Sequence, residues 1–219
     1  MQLKMKDRIL FIGDSITDCG RNYQDEYDLG NGFSQLAGNL VLGKYPTLDL
    51  TVHNRGINGD KLSDLSARWS KDCLALRPDT VTVLIGVNDI WHNRSMDRLI
   101  DEAYLAEFDR TYRKLLIELK ETNPKVQLII LQPFILPMSI DRLEWRQELQ
   151  QMHRVIEAIA KDFQADYIEV DDYLMSLSKE IPPQKLTSND GIHPTQIGHG
   201  VIANLWLENI ESAQALKSH

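Results

Sequence analysis

Five short apolar runs, each closed by glycine or polar residues and followed by a helical stretch, constrain this chain more than any other feature. The runs are Arg8–Gly13, Leu48–His53, Thr80–Gly86, Val126–Leu131 and Ala165–Val170. The first is continuous in Ile, Leu and Phe rather than alternating, which is the pattern of a strand covered on both faces. Between the runs, apolar residues recur every three or four positions along 32–42, 61–76, 101–122 and 142–163, so each interval presents one buried helical stripe. Strands alternating with helices require right-handed crossovers and a parallel sheet with helices on both faces. The expected fold is therefore an α/β three-layer sandwich with a five-stranded parallel sheet, in one domain spanning 1–219. No internal repeat, low-complexity tract or linker interrupts it. Punctuation agrees: Gly43 and Pro46 close the first helix, and Asn123-Pro124 breaks the long one. Residues 91–100 read as a polar connection, Gln132–Pro137 as a stiff loop, and 195–212 as a last helix with Pro194 in its first turn.

The net charge of −8 and the absence of any Lys/Arg stripe argue against a nucleic-acid partner. Cys19 and Cys73 form no CxxC pair, so both read as thiols in a reducing cytoplasm. Behind the basic amino terminus the apolar run is only Ile9–Ile12, too short for a secretory signal, and no segment has the length of a membrane span. His53, His92, His153, His199 and His219 lack metal-ligand spacing with carboxylates, so neither a metal nor a cofactor is expected.

Open parallel sheets bind ligands at the carboxyl ends of their strands. The first strand delivers Gly13-Asp14-Ser15 there, and a serine hydroxyl becomes a nucleophile only with a base, an orienting acid and donors for an oxyanion. Asn189-Asp190-Gly191-Ile192-His193-Pro194 can supply two of these: Asp190 folds back on the imidazole and leaves the other ring nitrogen for Ser15. The turn after the second strand offers Gly59, and the end of the third offers Asn88. Each residue alone also reads as a helix cap or a turn position. Their joint occurrence on separate loops at one sheet edge favours chemistry.

Gly13-Asp14-Ser15, the Asn54/Gly56/Gly59 turn, Gly86-Val87-Asn88-Asp89 and Asp190-Gly191-Ile192-His193-Pro194 resemble, in order, the four blocks of the SGNH (GDSL) hydrolases. The resemblance covers nearly the whole chain. It implies a flavodoxin-like sheet and a cofactor-free serine enzyme that hydrolyses small-molecule esters. It further implies Ser15 as nucleophile, His193 as base, Asp190 as its orienter, and Ser15, Gly59 and Asn88 as the oxyanion hole. Phe11–Arg21, Asn54–Trp69 and Ile85–Trp91 are most similar to the branch containing intracellular xylan acetylesterases, which implies acetylated sugars as substrates and a homo-oligomer. Asn58 departs from that branch where a small serine is expected, and Thr187-Ser188-Asn189 departs where an aromatic residue is expected. Trp91, His92 and Phe134 are the candidate substrate contacts. Two other readings compete. A thioesterase or lysophospholipase needs a long apolar groove. A phosphotransfer receiver module needs an acid beside Asp14 and a lysine after the last strand, and the chain provides neither.

Overall fold

The computed structural model describes residues 3–215, so His219 lies outside the described residues. Strands β1 (Arg8–Gly13), β2 (Thr51–Gly56), β3 (Thr80–Leu84), β4 (Gln127–Leu131) and β5 (Asp166–Ile168) form one sheet in the order β2-β1-β3-β4-β5. All four pairings are parallel. Because β1 is flanked by β2 and β3, the winding reverses there, and the two halves of the chain leave a crevice beyond the carboxyl ends of these strands. Gly13 stands in register with Gly56 on one side and Leu84 on the other, so the segments that follow all three strands emerge together.

The helices are α1 (Ser15–Asp18), α2 (Phe33–Lys44), α3 (Leu62–Asp72), α4 (Val87–Arg94), α5 (Glu102–Thr122), α6 (Ile140–Phe163), α7 (Val170–Leu177) and α8 (Gln196–Ala215). α2 packs on α8, while α5 packs on both α3 and α6. With right-handed crossovers, the first pair covers one face of the sheet and the other three cover the opposite face. On the first face Phe11 lies between Phe33 and Trp206, with ring centroids 5.7 and 5.1 Å away. Trp206 satisfies its indole N–H on Thr82 Oγ1 at 2.9 Å, so a large ring is buried without an orphaned donor. Among the described residues, no helix is long and apolar enough to cross a membrane.

Several boundaries differ from those expected. β2 begins at Thr51 because Pro46–Leu48 forms a short 3₁₀ turn. β5 stops at Ile168, and Val170 instead opens α7. Residues 91–94 are helical rather than a connection. Ile90 and Asn93 face inward there, and Arg94 pairs with Glu148 of α6 at 2.5 Å, so tertiary contacts stabilise a stretch that is polar in sequence. The last helix begins at Gln196, with the Thr195 hydroxyl accepting from Gly198 N at 3.2 Å, as an N-cap does. Pro194 is held outside it in an isolated antiparallel bridge to Thr187.

The end of β1 tolerates only glycine. A Cβ on Gly13 would lie 2.0 Å from the carbonyl oxygen of Leu84 and 2.8 Å from Thr17 Oγ1, and the first of these is backbone inside the sheet. Gly13→Ala is expected to destabilise the fold by about 3 kcal/mol or more, at the upper end of overpacking costs. Urea unfolding followed by circular dichroism measures this; a loss below about 1 kcal/mol would mean that the sheet edge yields easily.

Candidate active site

The turn after β1 divides two roles between neighbours. Asp14 caps α1, its Oδ1 accepting from Ile16 N at 3.0 Å. Ser15 is thereby free for another partner: its Oγ lies 2.9 Å from His193 Nε2. His193 Nδ1 lies 2.6 Å from Asp190 Oδ2. An ionised carboxylate can only accept, so Nδ1 carries the proton and the Nε2 lone pair faces the hydroxyl.

The loop holding this pair is braced at every point. Asp190 Oδ1 accepts from Ser188 Oγ at 2.7 Å, Ile192 N at 2.8 Å and His193 N at 2.9 Å. Burial raises the Asp190 carboxyl pKa, but these donors together with the imidazole outweigh it and hold the group well below the usual carboxylate range. The hydrogen bond that His193 donates to Asp190 raises its pKa above the ordinary histidine value, against the opposing effect of burial. Gly191 adopts φ +74°, and a Cβ there would meet the Leu136 carbonyl oxygen at 2.3 Å. Its own carbonyl accepts from Leu136 N at 2.7 Å, so the proline-rich loop after β4 serves as a buttress for the histidine loop.

Of the other two expected oxyanion donors, Gly59 turns with φ +85° and Asn88 lies in the first turn of α4. The Asn88 amide donates to the Asp60 carbonyl at 3.1 Å, which fixes its orientation. Asp60 is in turn gripped by Arg68 Nε at 2.6 Å. Arg68 also donates to the carbonyls of Gly13 at 2.9 Å and Arg55 at 2.7 Å, tying together the ends of β1 and β2 and the turn that carries Gly59. Ser15 is the first residue of α1, so its own N–H is among the donors that helix geometry leaves without an intrahelical partner.

The model of the GDSL-like lipase/acylhydrolase family matches residues 11–201. The chain belongs to that family. It is 32% identical over 216 residues to an acetylxylan esterase of Geobacillus stearothermophilus, covering 96% of each protein. Among solved structures, a GDSL-like protein from Parabacteroides merdae superposes with a TM-score of 0.87 at 30% identity, over 96% of this chain and 99% of that one. The acetylxylan esterase Axe2 of Geobacillus stearothermophilus superposes with a TM-score of 0.84 at 32% identity, over 96% of both chains. Its structures include catalytic mutants in which a serine, an aspartate or a histidine is replaced by alanine.

In this GDSL-family acylhydrolase the three expected substrate contacts fall in different places. Trp91 and His193 pack edge to face, with centroids 6.2 Å apart, and the Arg142 guanidinium lies 4.7 Å from the Trp91 ring centroid. Phe134 is fully buried and packs in the core, because the loop after β4 turns inward as a buttress rather than outward as a lid. His92, carried on α4 rather than on an open loop, borders a cavity with Lys61, Leu62, Tyr104 and Phe108 whose walls do not include Ser15.

Ser15 and His193 face a cavity of about 360 Å³ whose other walls include Asp18, Cys19, Arg21, Tyr23 and Asn58. The Cys19 thiol is held there by His199. The imidazole accepts from Phe33 N at Nδ1, so Nε2 carries its proton and donates to Sγ at 3.3 Å. Burial pushes the His199 pKa down to about 4 and raises that of Cys19, which keeps both groups neutral near pH 7. Arg142 escaped the reading of the sequence altogether. Stacked on Trp145 at 3.7 Å, it donates from Nε to the Asp190 carbonyl at 2.7 Å, and nothing in its spacing singles it out.

Proposed function

We propose that the protein is a serine esterase that removes small acyl groups, acetyl above all, from hydroxylated carbohydrates. The carrying observation is the unbroken hydrogen-bonded series from Ser15 Oγ through His193 to Asp190, set at the switch point of the sheet. Ser15 Oγ attacks the ester carbonyl while Nε2 of His193 takes its proton, and Asp190 holds the resulting imidazolium. The N–H groups of Ser15 and Gly59 and the side-chain amide of Asn88 stabilise the oxyanion. The C–O bond to the alcohol then breaks and His193 returns the proton to the departing oxygen. Water, deprotonated by the same imidazole, hydrolyses the acyl-serine.

The family match and the acetylxylan esterase relative support ester chemistry and a sugar substrate. The walls of the cavity before Ser15, rich in Asp18, Arg21 and Asn58, suit a hydroxylated ligand better than the long acyl chain of a thioesterase or lysophospholipase. Free thiols at Cys19 and Cys73 agree with a cytoplasmic enzyme, and the exposed Ile140 and Leu143 on α6 with a homo-oligomer.

Incubation with a phosphonate or sulfonyl fluoride, followed by peptide mass spectrometry, is expected to place one adduct on Ser15. Acetyl esters are expected to be hydrolysed faster than octanoyl esters of the same alcohol. A label elsewhere, or a preference for the longer chain, counts against this reading.

A further inference from the structure

We propose that the exposed ring of Tyr23, backed by Arg21, is a stacking platform for a sugar ring in the alcohol half of the substrate, making the cavity before Ser15 a leaving-group subsite. This rests on the esterase reading above and says which residues hold the sugar.

Tyr23 is 56% exposed yet held at two points. Its hydroxyl donates to the Asp18 carboxylate, and the Arg21 guanidinium lies 4.3 Å from its ring centroid. Both anchors are themselves fixed. Arg21 Nε donates to the Gly56 carbonyl at 2.9 Å, and the buried Asp18 carboxylate also accepts from Arg21 N at 3.1 Å and Asn58 N at 3.0 Å. An exposed tyrosine ordinarily samples several rotamers and loses that freedom when a ligand settles on it. Here two contacts restrain the ring before binding, which is the condition under which a stacking contact yields most affinity.

Position adds to rigidity. The alcohol must receive its proton from His193 Nε2, so it leaves through space that His193 borders. Tyr23 and Asn58 border that same space. The chemistry of the walls completes the argument: one aromatic surface is set among a guanidinium, a carboxylate and an amide. A pyranose has an apolar C–H face and a rim of hydroxyls and can meet both kinds of surface, whereas an acyl chain would strand the polar groups.

The test compares acetate release from an acetylated xylo-oligosaccharide and from ethyl acetate, whose alcohol is too small to reach a platform. In Tyr23→Ala the ratio of the two kcat/KM values is expected to fall about tenfold, the size of one lost aromatic contact with its buried area, mainly through KM for the sugar. Tyr23→Phe keeps the ring and its contact with Arg21 and loses the bond to Asp18, so its ratio is expected to fall clearly less than that of Tyr23→Ala. A parental ratio in Tyr23→Ala, or an equal fall in Tyr23→Phe, overturns the platform and leaves the esterase standing. So does a parent enzyme active on ethyl acetate alone. A parent inert on both esters overturns the esterase reading and the subsite with it.

Discussion

Ser15→Ala lowers kcat toward an acetyl ester by about a million-fold, and adding His193→Ala lowers it little further, because nucleophile and base work as one unit. The structure makes this a clean test of chemistry. Asp14 caps α1, and the only hydrogen bond of the Ser15 hydroxyl among the described residues goes to His193, so its removal takes nothing from the fold. Unfolding free energies of parent and variant from urea titration should therefore agree to within about 0.5 kcal/mol. Initial rates over a range of enzyme concentrations, with mass spectrometry to exclude contaminating parent protein, decide the matter. A variant that keeps a tenth of the parental rate would place the nucleophile elsewhere.

The layers of the fold and the positions of the site's polar groups were legible in sequence for one physical reason. Strands buried on both faces admit almost only apolar side chains, so Ile9–Ile12 and Val81–Leu84 announce themselves, and the turns that follow begin where that run breaks. Ser15, Gly59, Asn88 and the Asp190–His193 pair all sit at such breaks or at a helix start. What sets their orientation did not show, because it depends on partners distant in sequence. Arg68 reaches back 55 residues to Gly13, and Arg142 reaches forward 48 to Asp190. Such arginines look like ordinary solvated charges until the chain is folded. The inward turn of Phe134 has the same origin. A βα loop can turn toward the ligand or into the core, and only packing decides which: Phe134 lies inward, whereas Tyr23 borders the cavity before Ser15.

Asp190→Asn should lower kcat/KM about 10⁴-fold, the loss that follows when a triad imidazole is held in the wrong tautomer. Asparagine is the informative substitution because its Oδ1 can still accept from Ser188, Ile192 N and His193 N, which keeps the loop in place. Its amide can then donate to His193 Nδ1. That moves the ring proton to Nε2, where it faces Ser15 and blocks proton acceptance. The pH profile carries a second signature. His193 works only when neutral, so the rate rises with pH through its pKa. In the parent, the bond that His193 donates to Asp190 sets that acid limb above the ordinary histidine value of 6.5. Without the carboxylate the largest raising influence is gone and burial, which lowers the pKa, remains; the limb should shift toward lower pH even as the whole curve drops. Asp14, pushed up to about 7 by burial, also raises the His193 pKa through its charge, so the parental limb reports the two coupled groups together. The variant retains Asp14, so the shift between parent and variant profiles isolates the part owed to Asp190. A limb that stays in place, or a rate loss under about tenfold, would mean that Asp190 caps its loop and does not orient the base.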